Sequence, residues 1–234
     1  MDQEKIALLR EQTPVGIRHA ITLLERTGGN VSAARELFEA AQIQTVAGKA
    51  GVPPEMAARH LQLHGFDIPA ALQSIDRERY TVTELILRKH AHKPEEAVSL
   101  VLLALEKAYS FRKEYWIQPA HVADLNEWPR AVALVYEWIS CKDYEGFDTA
   151  LHMYPELMAT LLQTTLELEE GADLIRRAHM RVLQLDEQYR LHGRPEVMYG
   201  DPELDACEKT FHALCPVIME KLYALIQTHV TSFP

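Results

Sequence analysis

The chain has 234 residues, with 24 basic against 34 acidic side chains, a formal net charge of −10, and a composition that is 47% hydrophobic and 25% charged. This balance excludes disordered and collagen-like classes and leaves room for one large domain or two smaller ones, each with its own core. The longest mainly apolar stretch free of charge, Ala97 to Leu105, is about half of what a membrane span needs, and the opening MDQEKIALLR carries charges where a signal peptide is apolar, so a cytoplasmic protein without membrane contact is expected.

Apolar residues recur at helical spacing from the start: Ile6 and Leu9; Ile17, Ala20, Ile21 and Leu24; Val31, Ala34, Leu37 and Phe38. Thr13-Pro14 offers a capping oxygen before a proline at a first helical position, and Gly28-Gly29 ends that helix where a left-handed residue is easiest. The pattern continues through Leu85 and Ile86, Val98 to Leu105, Val132 to Ile139, Leu157 to Leu168, Leu174 to Leu185 and Ile218 to Leu225, with no period-two run long enough for a strand. Gly193, Pro195, Gly200 and Pro202 mark a loop of about ten residues before the last helix, and Pro216 is expected to bend or interrupt it. The fold class is all-α.

Two regions of different chemistry meet near residue 110. Residues 1–110 hold 13 basic and 14 acidic side chains, net −1, whereas 111–234 hold 24 − 13 = 11 and 34 − 14 = 20, net −9. Aromatics concentrate between Tyr109 and Tyr154, and Cys141, Cys207 and Cys215 are odd in number without a CxxC spacing, which points to reduced thiols.

A shift of 37 residues lays Val15–Phe38 over Val52–Ile75 without gaps. Val15/Val52, Ala20/Ala57, Leu24/Leu61, Gly28/Gly65, Ala33/Ala70 and Ala34/Ala71 are identical, while Asn30/Asp67, Val31/Ile68 and Phe38/Ile75 are alike. Each copy reads as a helix ending at glycine, a polar cap two positions on, and paired alanines that admit a close helix approach; short helices at Lys5–Gln12 and Gln44–Ala50 complete two three-helix modules. On these residues, LLREQTPVGIRHAITLLERTGGNVSAARELF (Leu8 to Phe38) resembles the small N-terminal domain of elongation factor Ts, and VAGKAGVPPEMAARHLQLHGFDIPAALQSI (Val46 to Ile75) resembles a ubiquitin-associated (UBA) domain, both of the UBA-like three-helix family. The resemblance implies a protein-binding surface at the helix 1–2 loop and the end of helix 3: Gly51, Val52, Ser74 and Ile75, with Gly16 and Ile17 at the loop of the first copy. The expected organisation is therefore residues 1–78 as tandem repeats (about 3–41 and 42–78), 79–110 as connecting helices, and 111–234 as an acidic, aromatic-rich bundle of four or five helices.

Several motifs compete with this account. Val46 to Leu63 also has helix-turn-helix spacing, but Lys49 and Arg59 beside Glu55 are slight basic support for phosphate contact, which argues against DNA. His60 and His64 share a helical face, and His90 and His92 lie two apart, without a well-placed third ligand, so no metal or other cofactor is expected. Glu167, Glu169, Glu170 and Asp173 read as a solvated face around Gly171, between two helices. With no Glu-x-x-His, nucleophile elbow or Gly-rich phosphate loop, no catalytic residue is nominated. Tyr115, Trp116 and Trp128, flanked by proline and charges, form a candidate groove, and Trp138 belongs to a core. The stripe Leu174, Ala178, Val182, Leu185 and Tyr189 requires burial, by default against 201–229 of the same chain and otherwise in a homodimer. The expected function is a non-enzymatic cytoplasmic adaptor that binds another protein; the alternatives are a helix-turn-helix regulator with a ligand-sensing, dimerising bundle, and a helical enzyme.

Overall fold

A computed structural model describes residues 2–111, 115–193 and 200–234. It is all-helical, with no strand among the described residues, and divides into two compact units, Met1–Thr81 and Val82–Pro234. Pro195, one of the loop markers above, lies outside the described residues.

The first unit holds α1 (Gln3–Gln12), α2 (Ile17–Arg26), α3 (Val31–Ala50), α4 (Pro54–Leu63) and α5 (Ile68–Arg79). Around one core Leu9, Ala20, Leu24, Ala34 and Phe38 are buried; around a second, Val46, Ala57, Leu61, Ala71 and Ile75, each the residue 37 positions on. The turns repeat with the cores. The Gly29 N–H donates to the Leu24 carbonyl at 2.7 Å and the Phe66 N–H to the Leu61 carbonyl at 2.7 Å. Asn30 accepts from the Ala33 N–H at 3.1 Å, and Asp67 from the Ala70 N–H at 2.9 Å, each capping the helix it precedes.

Two expectations change here. Residues 44–50 are not a separate helix: α3 runs unbroken for 20 residues, its first half closing one core and its second half opening the next, because nothing between Phe38 and Val46 breaks a helix. Nor does Thr13 cap α2. Its hydroxyl donates back to the Leu9 carbonyl at 2.6 Å, ending α1, and α2 starts only at Ile17 behind Gly16.

Phe66 occupies the position of Gly29 and keeps its left-handed backbone, φ 64° against 77°. Its ring packs on both cores and lies 6.0 Å from that of Phe38. A side chain that disfavours this conformation is held there because it joins the two repeats.

The second unit comprises α6 (Val82–Lys89), α7 (Pro94–Tyr109), a 3-10 turn (Pro119–Val122), α8 (Glu127–Glu145), α9 (Phe147–Ala150), α10 (Pro155–Thr160), a π-turn (Leu161–Thr165), α11 (Glu169–His192), α12 (Pro202–Thr228) and a final 3-10 turn (Val230–Ser232). From Val82 on, the segment expected as a connection belongs to this unit, since Val98, Val101 and Leu105 of α7 enter its largest core. Three bonds of its first turn match the first unit: His90 N–H to Ile86 carbonyl, Lys93 N–H to His90 carbonyl and Ala97 N–H to Lys93 carbonyl lie 26 residues after those of His64, Asp67 and Ala71, without the left-handed residues found at Gly65 and Phe66.

Trp138 is fully buried, edge-on to Phe147 and Phe211, with its indole N–H donating to the Met153 carbonyl at 3.1 Å. Leu174, Ala178 and Val182 are buried with Cys207 and Phe211 of α12, and Leu185 and Tyr189 are half-buried, so the stripe is used within the unit. Gly171 does not separate helices. It sits buried in the first turn of α11, where an added Cβ would lie 3.4 Å from Leu162 and 3.9 Å from Leu214. Pro216 does not interrupt α12 either; the helix continues through it and forgoes the bond to the His212 carbonyl.

Candidate functional site

The residues nominated in the first unit meet different fates. Gly16 is an exposed helix N-cap without a side-chain cap bond, and Ile17 beside it is 54% exposed. Gly51 ends α3 in a left-handed turn, its N–H and that of Val52 both reaching the Ala47 carbonyl, and Val52 lies half-buried on the second core. Ser74 is half-buried, its hydroxyl 3.0 Å from His60 Nδ1. Ile75 is 0% exposed, occupying the place that Phe38 fills in the first core. It therefore contributes packing, and the accessible part of the surface comprises exposed Gly16, Ile17 and Gly51 with half-buried Val52 and Ser74. Sequence spacing placed Ser74 and Ile75 together at the end of α5 without showing that they project at different depths.

His60, 4% exposed, is a clasp between α4 and α5, with Nδ1 on Ser74 and Nε2 3.0 Å from Glu78. Arg59 reaches the other oxygen of Glu78 at 2.5 Å, and these contacts hold the Glu78 carboxyl below its ordinary range, the Arg59 bond foremost. Arg79 donates to the Ala50 carbonyl at 2.7 Å and ties the end of α5 to the end of α3. His90 pairs with Glu96 at 3.3 Å, and among the described residues no group of three His, Cys, Asp or Glu side chains is placed to hold a metal ion.

The aromatic residues have separate surroundings. Tyr115 is 84% exposed, Trp116 lies 6.2 Å from the ring of Tyr144, and Trp128 stacks on His229 at 4.0 Å. Both tryptophans also rest against the large core. The segment between them is anchored by buried Glu137, which accepts from the Ile117 N–H at 3.1 Å, and by the Tyr154 hydroxyl, which donates to the Ile117 and Leu134 carbonyls. Burial, and then the carboxylate of Glu137, raises the Tyr154 pKa. Glu167, Glu169, Glu170 and Asp173 are all exposed.

The second unit holds a cavity of about 360 Å³ that no sequence motif marks. It is lined by the start of α7 (Pro94, Glu95), the last turns of α8 (Ile139, Lys142, Asp143) and α12 from His212 to Glu220. The Lys142 side chain is only 4% exposed; its ammonium lies 2.5 Å from Asp143, 3.3 Å from His212 Nδ1 and 3.8 Å from Cys215 Sγ. Burial raises the Cys215 pKa, an effect that Lys142 opposes. The signal was present in the sequence: Lys142 falls four residues after Trp138 and three after Ile139, placing a cation on the apolar stripe of α8. The partners across the cavity, 70 and 73 residues away, carried no spacing that sequence could reveal.

Comparison with known proteins locates the second unit. The family model described as the YfbN C-terminal domain matches residues 81–231, and a relative described as uncharacterized protein YfbN, from Escherichia coli strain K12, is 37% identical over 160 residues, covering 66% of this chain and 67% of its own length. No solved structure matches. No helix among the described residues is long and apolar enough to cross a membrane.

Proposed function

The chain belongs to the YfbN C-terminal domain family, and from the surfaces of its first unit we propose that it acts as a non-enzymatic cytoplasmic adaptor that docks another protein. The two repeats are read as UBA-like modules lying outside the span matched by the family model. What carries the proposal is Ile17: a large apolar residue, 54% exposed, at the start of α2 beside the open Gly16. Small apolar anchors beside backbone-accessible turns suit a protein partner, since a few desolvated side chains dominate interface energetics. The Gly51–Val52 turn supplies a second such point. The helix-turn-helix alternative is disfavoured by Arg59, which is paired with Glu78 and so offers little charge to a phosphate. The acidic second unit favours a partner that also carries basic surface.

The test is affinity capture with tagged chain and with the Ile17→Asp and Val52→Asp variants, quantified by mass spectrometry after circular dichroism has shown each to be folded. The expected result is a discrete set of partners depleted by either substitution. Retention of every partner by both folded variants would refute the docking surface.

A further inference from the structure

We propose that the cavity between α7, α8 and α12 binds a small zwitterion of the α-amino-acid type, its carboxylate on Lys142 and its ammonium among the carboxylates of the rim. The cavity volume of about 360 Å³ is in the range of small-ligand sites. Charge within it is sorted by depth. The cation is inside, with Lys142 at 4% side-chain exposure, whereas Glu95, Asp143 and Glu220 stand exposed at the mouth.

The three N–H donors of Lys142 are met by Asp143, His212 and Cys215, and a ligand carboxylate would take the place of the thiol, the weakest acceptor of the three; what the ammonium lacks is a buried counter-charge. Its carboxylate partner, Asp143, is the next residue of the same helix and 53% exposed, so this carboxylate remains largely in water. A buried ammonium is expensive unless a well-desolvated counter-charge meets it, and a bound carboxylate supplies one. His212 Nδ1 accepts from the ammonium, which leaves Nε2–H as a second donor in the lining. Ile139, Met219, Pro94 and Pro216 provide apolar surface for a side chain. A simple anion would leave the rim carboxylates unused, and a simple cation would leave Lys142 as it is.

Cys215 is a built-in reporter, since it lines the cavity whereas Cys141 and Cys207 are buried elsewhere in the core. The full chain is alkylated with iodoacetamide at mildly alkaline pH in the presence of each of the common L-amino acids except cysteine, whose own thiol would consume the reagent, at about 10 mM, a concentration that detects millimolar affinity. Alkylation is read for each cysteine by peptide mass spectrometry. The proposal expects at least one amino acid to protect Cys215 severalfold, with Cys141 and Cys207 unchanged. Removing its amino or its carboxyl group should weaken protection about tenfold or more, the usual loss for a charge-assisted hydrogen bond. Lys142→Met should abolish protection, and the exposed Glu220→Gln, which leaves the interior intact, should weaken it. Absence of protection by every amino acid, equal protection by the deaminated or decarboxylated analogue, or, should Lys142→Met fail to fold, undiminished protection in Glu220→Gln would overturn it.

Discussion

Phe66 gives the sharpest test of how the first unit is assembled, because it combines a conformational cost with a packing gain. A half-buried phenylalanine removes about 100 Å² from water, worth about 2.5 kcal/mol at about 25 cal/mol per Å². Its left-handed backbone, φ 64°, costs about 1 kcal/mol relative to glycine. Phe66→Ala forfeits the packing and keeps the strain, for a loss of about 2.5 kcal/mol, whereas Phe66→Gly recovers the strain and loses about 1.5 kcal/mol. Urea unfolding followed by far-ultraviolet circular dichroism measures both. Glycine should be the more stable by about 1 kcal/mol, with both below the parent. An alanine variant as stable as the glycine variant would refute the strain, and two variants indistinguishable from the parent would refute the role of Phe66 as the joint between repeats.

Other predictions follow from single contacts. Arg181 holds the Asp201 carboxyl at about 2, below its ordinary 3.8, while the same carboxylate caps α12 through the Leu204 N–H at 3.0 Å. Because the folded-state pKa is depressed, this contribution is complete above about pH 4 and is lost as pH falls towards 2, so Asp201→Asn should flatten the stability–pH curve in that window while retaining a cap acceptor. An unchanged acid limb would contradict the pairing. In native protein a disulfide reagent should titrate Cys215 first, with Cys141, whose pKa burial raises to about 11, and Cys207 reacting only on unfolding; simultaneous reaction of all three would contradict the burial. Ile75→Asp should unfold the first unit, since it places a charge in a fully enclosed site, whereas Ile17→Asp should leave melting unchanged within about 0.5 kcal/mol.

Much of the fold was legible because it is local. Gly28 and Gly65, the caps Asn30 and Asp67, and the buried pairs Ala20/Ala57 and Ala34/Ala71 are fixed by chemistry within a few residues, and the 37-residue shift exposes them together. Where sequence misled, a longer-range choice decided. Thr13 closes the helix behind it, and Gly171 serves close contact with Leu162 and Leu214, which no local pattern distinguishes from a break. The turn at His90–Lys93 shares three backbone bonds with the turn at 64–67 but has neither its left-handed residues nor its cap, Lys93 and Pro94 standing where Asp67 and Ile68 do, so the sequence does not mark it. The candidate surface was half legible for the same reason: turns such as Gly51–Val52 are visible in sequence, whereas the depth of Ile75 depends on what α3 and α4 place around it. The cavity was least legible, because Lys142, His212 and Cys215 meet only through tertiary packing.

The measurement closest to the central claim is hydrogen–deuterium exchange of the chain alone and bound to a partner recovered by capture. Docking through the first unit predicts slowed amide exchange at residues 15–20 and 48–56, around Ile17 and the Gly51–Val52 turn. Slowing confined to residues 82–234, with those two turns unchanged, would contradict it.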